Sequence, residues 1–100
     1  MKTILLTGSE GSVGKYILSN LYKSNLFDSI IRVKNSKKTF YDKKLNMYYG
    51  NLLDKSFCKN IFKENNISHI IHCAAKWNGI NKDLDVFYNN FISFNNILNS

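Results

Sequence analysis

Three glycines spaced by three, Gly8, Gly11 and Gly14, lie in the segment Thr7-Gly8-Ser9-Glu10-Gly11-Ser12-Val13-Gly14 of this 100-residue chain. An apolar run, Ile4-Leu5-Leu6, precedes them, and Lys15-Tyr16-Ile17-Leu18-Ser19-Asn20-Leu21 follows with helical spacing. A buried strand, a tight glycine turn and a helix N-terminus are what a dinucleotide pyrophosphate requires. Glycine lets the backbone turn and approach the phosphates, and the first-turn amides supply donors in a field that favours anions. The commoner dinucleotide fingerprint places its first two glycines two residues apart, whereas here both gaps are three. A Walker A loop is excluded, because it needs glycine at position 9 and Ser or Thr after Lys15, where this chain has Ser9 and Tyr16. A glycine-bearing turn without a ligand would share the same spacing.

The elements that must position this turn follow from hydrophobic patterning. Lys2 to Thr7 reads as a first strand, continuously apolar as a strand covered on both faces should be. A helix from about Ser12 to Lys23 carries Val13, Ile17, Leu18 and Leu21 on one side, a stripe expected to pack on the sheet. Asp28–Val33 reads as the second strand. A polar stretch from Lys34 follows, with Phe40 and Tyr41 expected to be partly buried. Leu45–Tyr49 reads as a third strand, ended by Gly50. Asp54 is placed to cap a helix from Lys55 to about Asn65 with Phe57, Ile61 and Phe62 on its apolar face. Ile67–His72 reads as the fourth strand. Leu84, Phe87, Phe91, Phe94 and Leu98 recur at three and four along a last helix, from Asp83 to Asn99, whose many asparagines leave it dependent on packing. Alternating strands and helices with short connections predict an α/β fold, a Rossmann-like doubly wound parallel sheet of order 3-2-1-4. The whole of 1–100 is expected to be one NAD(P)-binding domain, the N-terminal part of a larger sheet.

Composition narrows the function classes. Hydrophobic residues make up 44% of the chain, enough for a packed core rather than disorder. No run approaches the ~18 apolar residues of a membrane span, and Met1-Lys2-Thr3 leads straight into a strand with no signal-peptide pattern. A cytoplasmic protein without a membrane partner is expected. Cys58 and Cys73 form no metal-ligand cluster and are expected to be free thiols. The net charge of +7 points formally to anionic partners. Thirteen of the fourteen basic residues are lysine, however, and the lysines of 34–38 with Lys43 and Lys44 read as solvated loop. No nucleic-acid partner is expected.

A T-G-x-x-G-x-x-G segment directly after an N-terminal strand resembles the extended short-chain dehydrogenase/reductases, in particular the NAD-dependent epimerase/dehydratase family. Gly50-Asn51-Leu52-Leu53-Asp54 resembles that family's G-D-L-x-D segment, whose aspartate and following apolar residue hold the adenine. Here Asn51 replaces the aspartate, and a neutral partner makes a weaker hydrogen bond than a charged one. Ile70-Ile71-His72-Cys73-Ala74-Ala75 resembles V-I-H-x-A-A, where small residues pass beside the cofactor. Asn90-Phe91-Ile92-Ser93-Phe94-Asn95-Asn96-Ile97-Leu98 resembles N-V-x-G-T-x-N-L-L; Asn90, Asn96, Ile97 and Leu98 agree, while Ser93 and Phe94 depart. The resemblance implies cofactor contacts at Thr7, Gly8, Gly11, Ser12, Val13, Gly14, Asn51, Leu52, Cys73, Ala74 and Ala75. It makes His72 structural rather than catalytic; His69, near the start of the fourth strand, reads as a packing or surface residue.

The identity of the cofactor turns on the second strand. An NAD site usually has an acidic residue at that strand's end to hold the ribose hydroxyls. This chain has Arg32-Val33-Lys34, cations that suit a 2′-phosphate, with Arg32 the better shaped. NADP is therefore expected ahead of NAD.

By resemblance, the activity is reversible hydride transfer to and from a nucleotide-linked sugar, giving epimerisation, dehydration or reduction. The family uses a tyrosine with a lysine four residues later, and no tyrosine of this chain has one. No catalytic acid/base is therefore assigned within the 100 residues, and a homodimer is an expectation for the complete protein only. The other function open to these residues is a catalytically inert Rossmann-like module that senses a dinucleotide or mediates a protein interaction. Lys76-Trp77-Asn78-Gly79 stands where a substrate-side loop would lie, with Trp77 equally suited to stack on a ligand or to anchor the loop.

Overall fold

The computed structural model describes residues 2–73 and 95–98. Strand β1 (Thr3–Thr7) is buried along its whole length, as its unbroken apolar run requires. Helix α1 (Ser12–Ser24) starts directly after Gly11 and stops at Asn25, whose left-handed φ of 57° is tolerated by asparagine. Strand β2 (Ser29–Asn35) then pairs parallel to β1, from Thr3 opposite Ser29 to Thr7 opposite Val33. Strands β3 (Phe40–Asp42) and β4 (Met47–Gly50) form a hairpin, helix α2 (Lys55–Glu64) follows, and β5 (His69–His72) returns to pair parallel with β1.

The sheet order is β3-β4-β2-β1-β5. Its four parallel strands, β4-β2-β1-β5, stand in the order the alternation predicts. The addition is β3, a three-residue antiparallel edge strand inside the stretch expected to be polar loop. Two aromatic pairs hold it: Phe40 stacks on Tyr49 with ring centroids 4.3 Å apart, and Tyr41 tilts against Tyr48 at 4.6 Å. Cross-strand aromatic pairs of this kind stabilise a strand too short to form alone. Phe40 and Tyr41 are nevertheless exposed, not partly buried as expected, because β3 is the sheet's edge.

Asn46 closes the hairpin in a left-handed conformation, φ 51°. Its Nδ2 donates to Ser29 Oγ and to the Ile30 carbonyl, both at 2.9 Å, and its Oδ1 accepts from the Tyr41 hydroxyl at 2.8 Å. One side chain therefore ties the turn to two strands.

The crossover from β1 to β2 runs one way along the sheet and that from β4 to β5 runs the other, so right-handed connections put α1 and α2 on opposite faces. On the α2 face the core joins Leu5, Ile31, Val33, Tyr48, Leu52, Phe57, Cys58, Ile61 and Ile97. On the α1 face Ile17, Leu18 and Leu21 are half-buried. Val13, expected on the packed stripe, is 64% exposed, because it lies in the first turn beyond the end of β1. The last predicted helix falls mostly outside the described residues; 95–98 are helical and bring Ile97 into the core.

α2 begins where the sequence places it. Asp54 Oδ1 accepts from the Ser56 and Phe57 amides at 2.9 and 3.4 Å, capping donors the helix itself cannot satisfy. Phe57 lies across Gly50, where an added Cβ would come within 2.5 Å of the ring. In urea unfolding, Asp54→Ala should cost about 1 kcal/mol for the lost cap, and Gly50→Ala about 1–3 kcal/mol for displacing a buried ring. A Gly50→Ala chain as stable as the parent would show that the core yields there.

Candidate functional site at the carboxyl edge of the sheet

Parallel register brings four chain segments to one edge. Thr7, the last residue of β1, pairs with Val33 on one side and His72 on the other, and Asn35 pairs with Gly50. The glycine turn, the end of β2, the loop at Asn51 and Cys73 therefore stand side by side. The strand order reverses direction at β1, and in open α/β sheets the crevice beyond such a point is where ligands bind.

The turn has a built geometry. Gly8 has a positive φ of 72°, open to glycine and strained for other residues. A Cβ on Gly14 would lie 1.9 Å from the Gly8 carbonyl oxygen, so α1 starts in direct backbone contact with the end of β1. Gly11 differs: a Cβ there would meet only the Gly8 oxygen, at an ordinary 3.6 Å. The turn closes with the Gly11 amide donating to the Gly8 carbonyl at 3.2 Å, and α1 opens with the Lys15 amide donating to Gly11 at 2.8 Å. The amides of Ser12, Val13 and Gly14 have no acceptor within the helix by its geometry. Gly11 offers no side-chain cap and the first turn has no acidic residue, so this N-terminus keeps its partial positive charge.

Ser9, which the sequence did not mark, is 2% exposed, and its Oγ has no hydrogen-bond partner among the described residues. The Ser9 backbone is part of the tight helix–strand contact, its Cα only 2.9 Å from where a Cβ on Gly14 would lie. An orphaned hydroxyl inside an anion-shaped turn is a polar group awaiting a partner. The open approach at Gly11 and the first-turn amides without helical acceptors give the turn a shape that fits a pyrophosphate.

The other predicted positions divide. Asn51 is exposed at the edge, its Oδ1 accepting from the Leu53 amide at 2.9 Å. Leu52 turns its side chain into the core at 9% exposure, away from any ligand at the edge. Cys73 is half-buried beside the turn, its amide donating to the Thr7 carbonyl at 3.0 Å. Ala74, Ala75, Trp77, Asn90, Ser93 and Phe94 lie outside the described residues. Arg32 is placed away from the edge. It pairs with Met47, the first residue of β4, and its Nη2 donates to the Leu45 carbonyl at 2.7 Å, at the amino end of that strand. Lys34 is the exposed cation near the carboxyl end of β2.

No group of three or more His, Cys, Asp or Glu among the described residues could hold a metal, and no described helix is long and apolar enough to cross a membrane. Burial pushes the Cys58 thiol up to about 11, so it stays protonated and unreactive. Thr7 Oγ1 and His72 Nδ1 share a hydrogen bond at 2.6 Å. Burial also holds the His72 imidazole below its ordinary value of 6.5, since charging the ring there gives up hydration. As pH falls, the unfolded chain takes up this proton first. The neutral ring's contribution is complete above pH 6.5 and is lost as pH falls through the lower folded value. Between about pH 8 and about pH 5 the parent should lose more thermal stability than His72→Gln; equal losses would assign the acid sensitivity to other groups.

Comparison with known proteins adds to this geometry. The sequence profile of the NAD dependent epimerase/dehydratase family matches residues 4–100. A UDP-glucose 4-epimerase of Neisseria meningitidis serogroup A is 34% identical over 83 residues, covering 75% of this chain and 24% of its own length. The chain thus spans about a quarter of the curated relatives it matches first. The fold matches that of Thermus thermophilus UDP-glucose 4-epimerase in complex with NAD, with a TM-score of 0.78 at 21% identity, over 97% of this chain and 32% of that one. A GDP-L-fucose synthetase from Naegleria fowleri bound to NADP superposes with a TM-score of 0.70 at 26% identity, over 98% of this chain and 26% of that one. A parallel Rossmann-like sheet, a glycine turn shaped for a pyrophosphate and a profile match from residue 4 to residue 100 lead to one assignment: this chain belongs to the NAD-dependent epimerase/dehydratase family.

Proposed function

We propose that the chain is the NAD(P)-binding part of an enzyme that epimerises, dehydrates or reduces a nucleotide-linked sugar by reversible hydride transfer. The observation that carries this is the glycine turn, packed against β1 through Gly14 but open at Gly11. The family assignment supports it. So do the named activities of the relatives, a UDP-glucose 4-epimerase and a GDP-L-fucose synthetase. When bound, the nicotinamide supplies a hydride acceptor and donor for a sugar carbon.

Each residue then has a task. The free amides of Ser12, Val13 and Gly14 bind the pyrophosphate at the positive end of α1. Gly8 sets the turn, Gly11 keeps the approach clear, Cys73 lines the floor beside it, and the fully buried Thr7 supports that floor from beneath. Asn51 reads the adenine, with Leu52 next to it in the family's segment, and the family resemblance gives Ala74 and Ala75 a cofactor contact too. Because Arg32 is committed to Leu45, any attraction for a 2′-phosphate falls to Lys34, which stands where an acidic residue would favour NAD. NADP acceptance is thus proposed to rest on Lys34. The remaining partner is a small-molecule substrate, a nucleotide-sugar by analogy with the relatives' names, and a homodimer is proposed for the complete enzyme. A cytoplasmic location is proposed with it.

Titration of the 100-residue chain with NADH and NADPH, followed by nicotinamide fluorescence, tests the site. A Cβ at Gly11 meets only an ordinary contact, so Gly11→Val should stay folded, with a loss of about 1 kcal/mol for the poorer N-cap. It should nonetheless weaken dinucleotide binding by at least about tenfold, a loss of about 1.4 kcal/mol. Unchanged affinity would remove the phosphates from this turn. Lys34→Ala should lower affinity for NADPH more than for NADH, while Arg32→Ala should leave their ratio unchanged; the reverse pattern would return the 2′-phosphate to Arg32.

A further inference from the structure

The loop between β4 and α2 is held from a distance. Asn96, 4% exposed, donates from Nδ2 to the Leu52 carbonyl at 2.7 Å, across 44 residues of sequence. That carbonyl belongs to the same peptide group as the Leu53 amide, which donates to Asn51 Oδ1 at 2.9 Å. A peptide group is planar and rigid. The two bonds therefore form one relay: the Asn96 amide grips the carbonyl side of the 52–53 peptide, and the amide side of that peptide grips Asn51. The Asn96 bond is the buried half of this relay and the Asn51 bond its exposed half.

Other contacts leave the relay little freedom. The Leu52 carbonyl accepts a second, weaker bond from Cys58 Sγ at 3.5 Å, so both of its lone pairs are occupied. The Asn51 carbonyl accepts from the Asp54 amide at 2.9 Å, closing the turn from the other end. Ile97, next to Asn96, packs in the same core as the Leu52 side chain. Asn51 is exposed at the carboxyl edge, with its Oδ1 held by the Leu53 amide.

We propose that Asn96 is a positioning residue for adenine recognition: through the 52–53 peptide it orients the Asn51 amide so that adenine is distinguished from other purines. This rests on the dinucleotide site proposed above. A fixed carboxamide presents an acceptor and a donor in set places, which suits the amino group and ring nitrogen of adenine. Hypoxanthine presents the opposite pattern, a carbonyl and a ring N–H. A carboxamide free to rotate would serve either base, so fixing it is what generates the choice.

The test compares affinities of the 100-residue chain for NADH and for reduced nicotinamide hypoxanthine dinucleotide, both followed by nicotinamide fluorescence. The parent should prefer NADH by about tenfold, the scale of one well-made hydrogen bond to a buried or fixed partner. In Asn96→Leu, which keeps the branching at Cγ and removes the donor, that ratio should fall to about one. Ile61→Val loosens the same core without touching the relay and should lower stability while keeping the ratio. Asn96→Ser carries the same expectation should the leucine variant fail to fold. An Asn96 variant that retains the parent's ratio overturns the proposal, as does a parent that binds both dinucleotides equally. A folded parent that binds neither would instead sink the dinucleotide site itself.

Discussion

The contact on which the rest depends is that between Gly14 and Gly8. Helix α1 meets strand β1 backbone to backbone, with the Gly8 carbonyl occupying the space a side chain at position 14 would need. That approach sets how closely the first turn of α1 lies over the strand ends, and hence where its free amides converge. The positive φ at Gly8 and the buried Ser9 follow from the same closure. The three glycines consequently do different work, although the sequence presents them as equivalent repeats. Two maintain the fold and the third keeps a surface clear.

Distant segments become neighbours through the ladder of parallel pairing. Residues near 8, 34, 51 and 73 share an edge because β1 is paired in register on both sides and β4 in turn on β2. At that edge the side chains carry little of the proposed binding chemistry. Backbone amides, a carboxamide and small residues dominate; nearby, the Cys58 thiol is buried and protonated, and His72 is bonded to Thr7. A surface of that kind suits the recognition of shape and phosphate proposed for it.

Much of this was legible in the sequence wherever one residue type meets one local demand. Unbroken apolarity marked β1, Asp54 marked the start of α2, and the glycine spacing marked the turn. Legibility failed where pairing across the chain decides. Phe40 and Tyr41 sit among lysines in a run without strand periodicity, and only Tyr48 and Tyr49 across the hairpin make β3 a strand. Arg32 looked like an anion ligand because it lies near the end of an apolar run. Register puts it opposite Met47 instead, and its side chain satisfies the Leu45 carbonyl. Val13 has helical spacing with Ile17, yet it precedes the point at which α1 reaches the sheet. Residue 96 matched a family pattern, but nothing in that pattern showed that its amide reaches the Leu52 carbonyl.

The β3–β4 hairpin also separates the two ends of the sheet. Its turn at 43–46 lies at the amino end of β4, across the sheet from the glycine turn, and Asn46 anchors it to Ser29 and Ile30 independently of the tip. Lys43 and Lys44 project from that tip into solvent. The molecule therefore carries a natural attachment point. A fluorophore, tether or inserted peptide joined between those two lysines would sit on the side remote from the crevice, where the chain could be immobilised with its carboxyl edge facing outward.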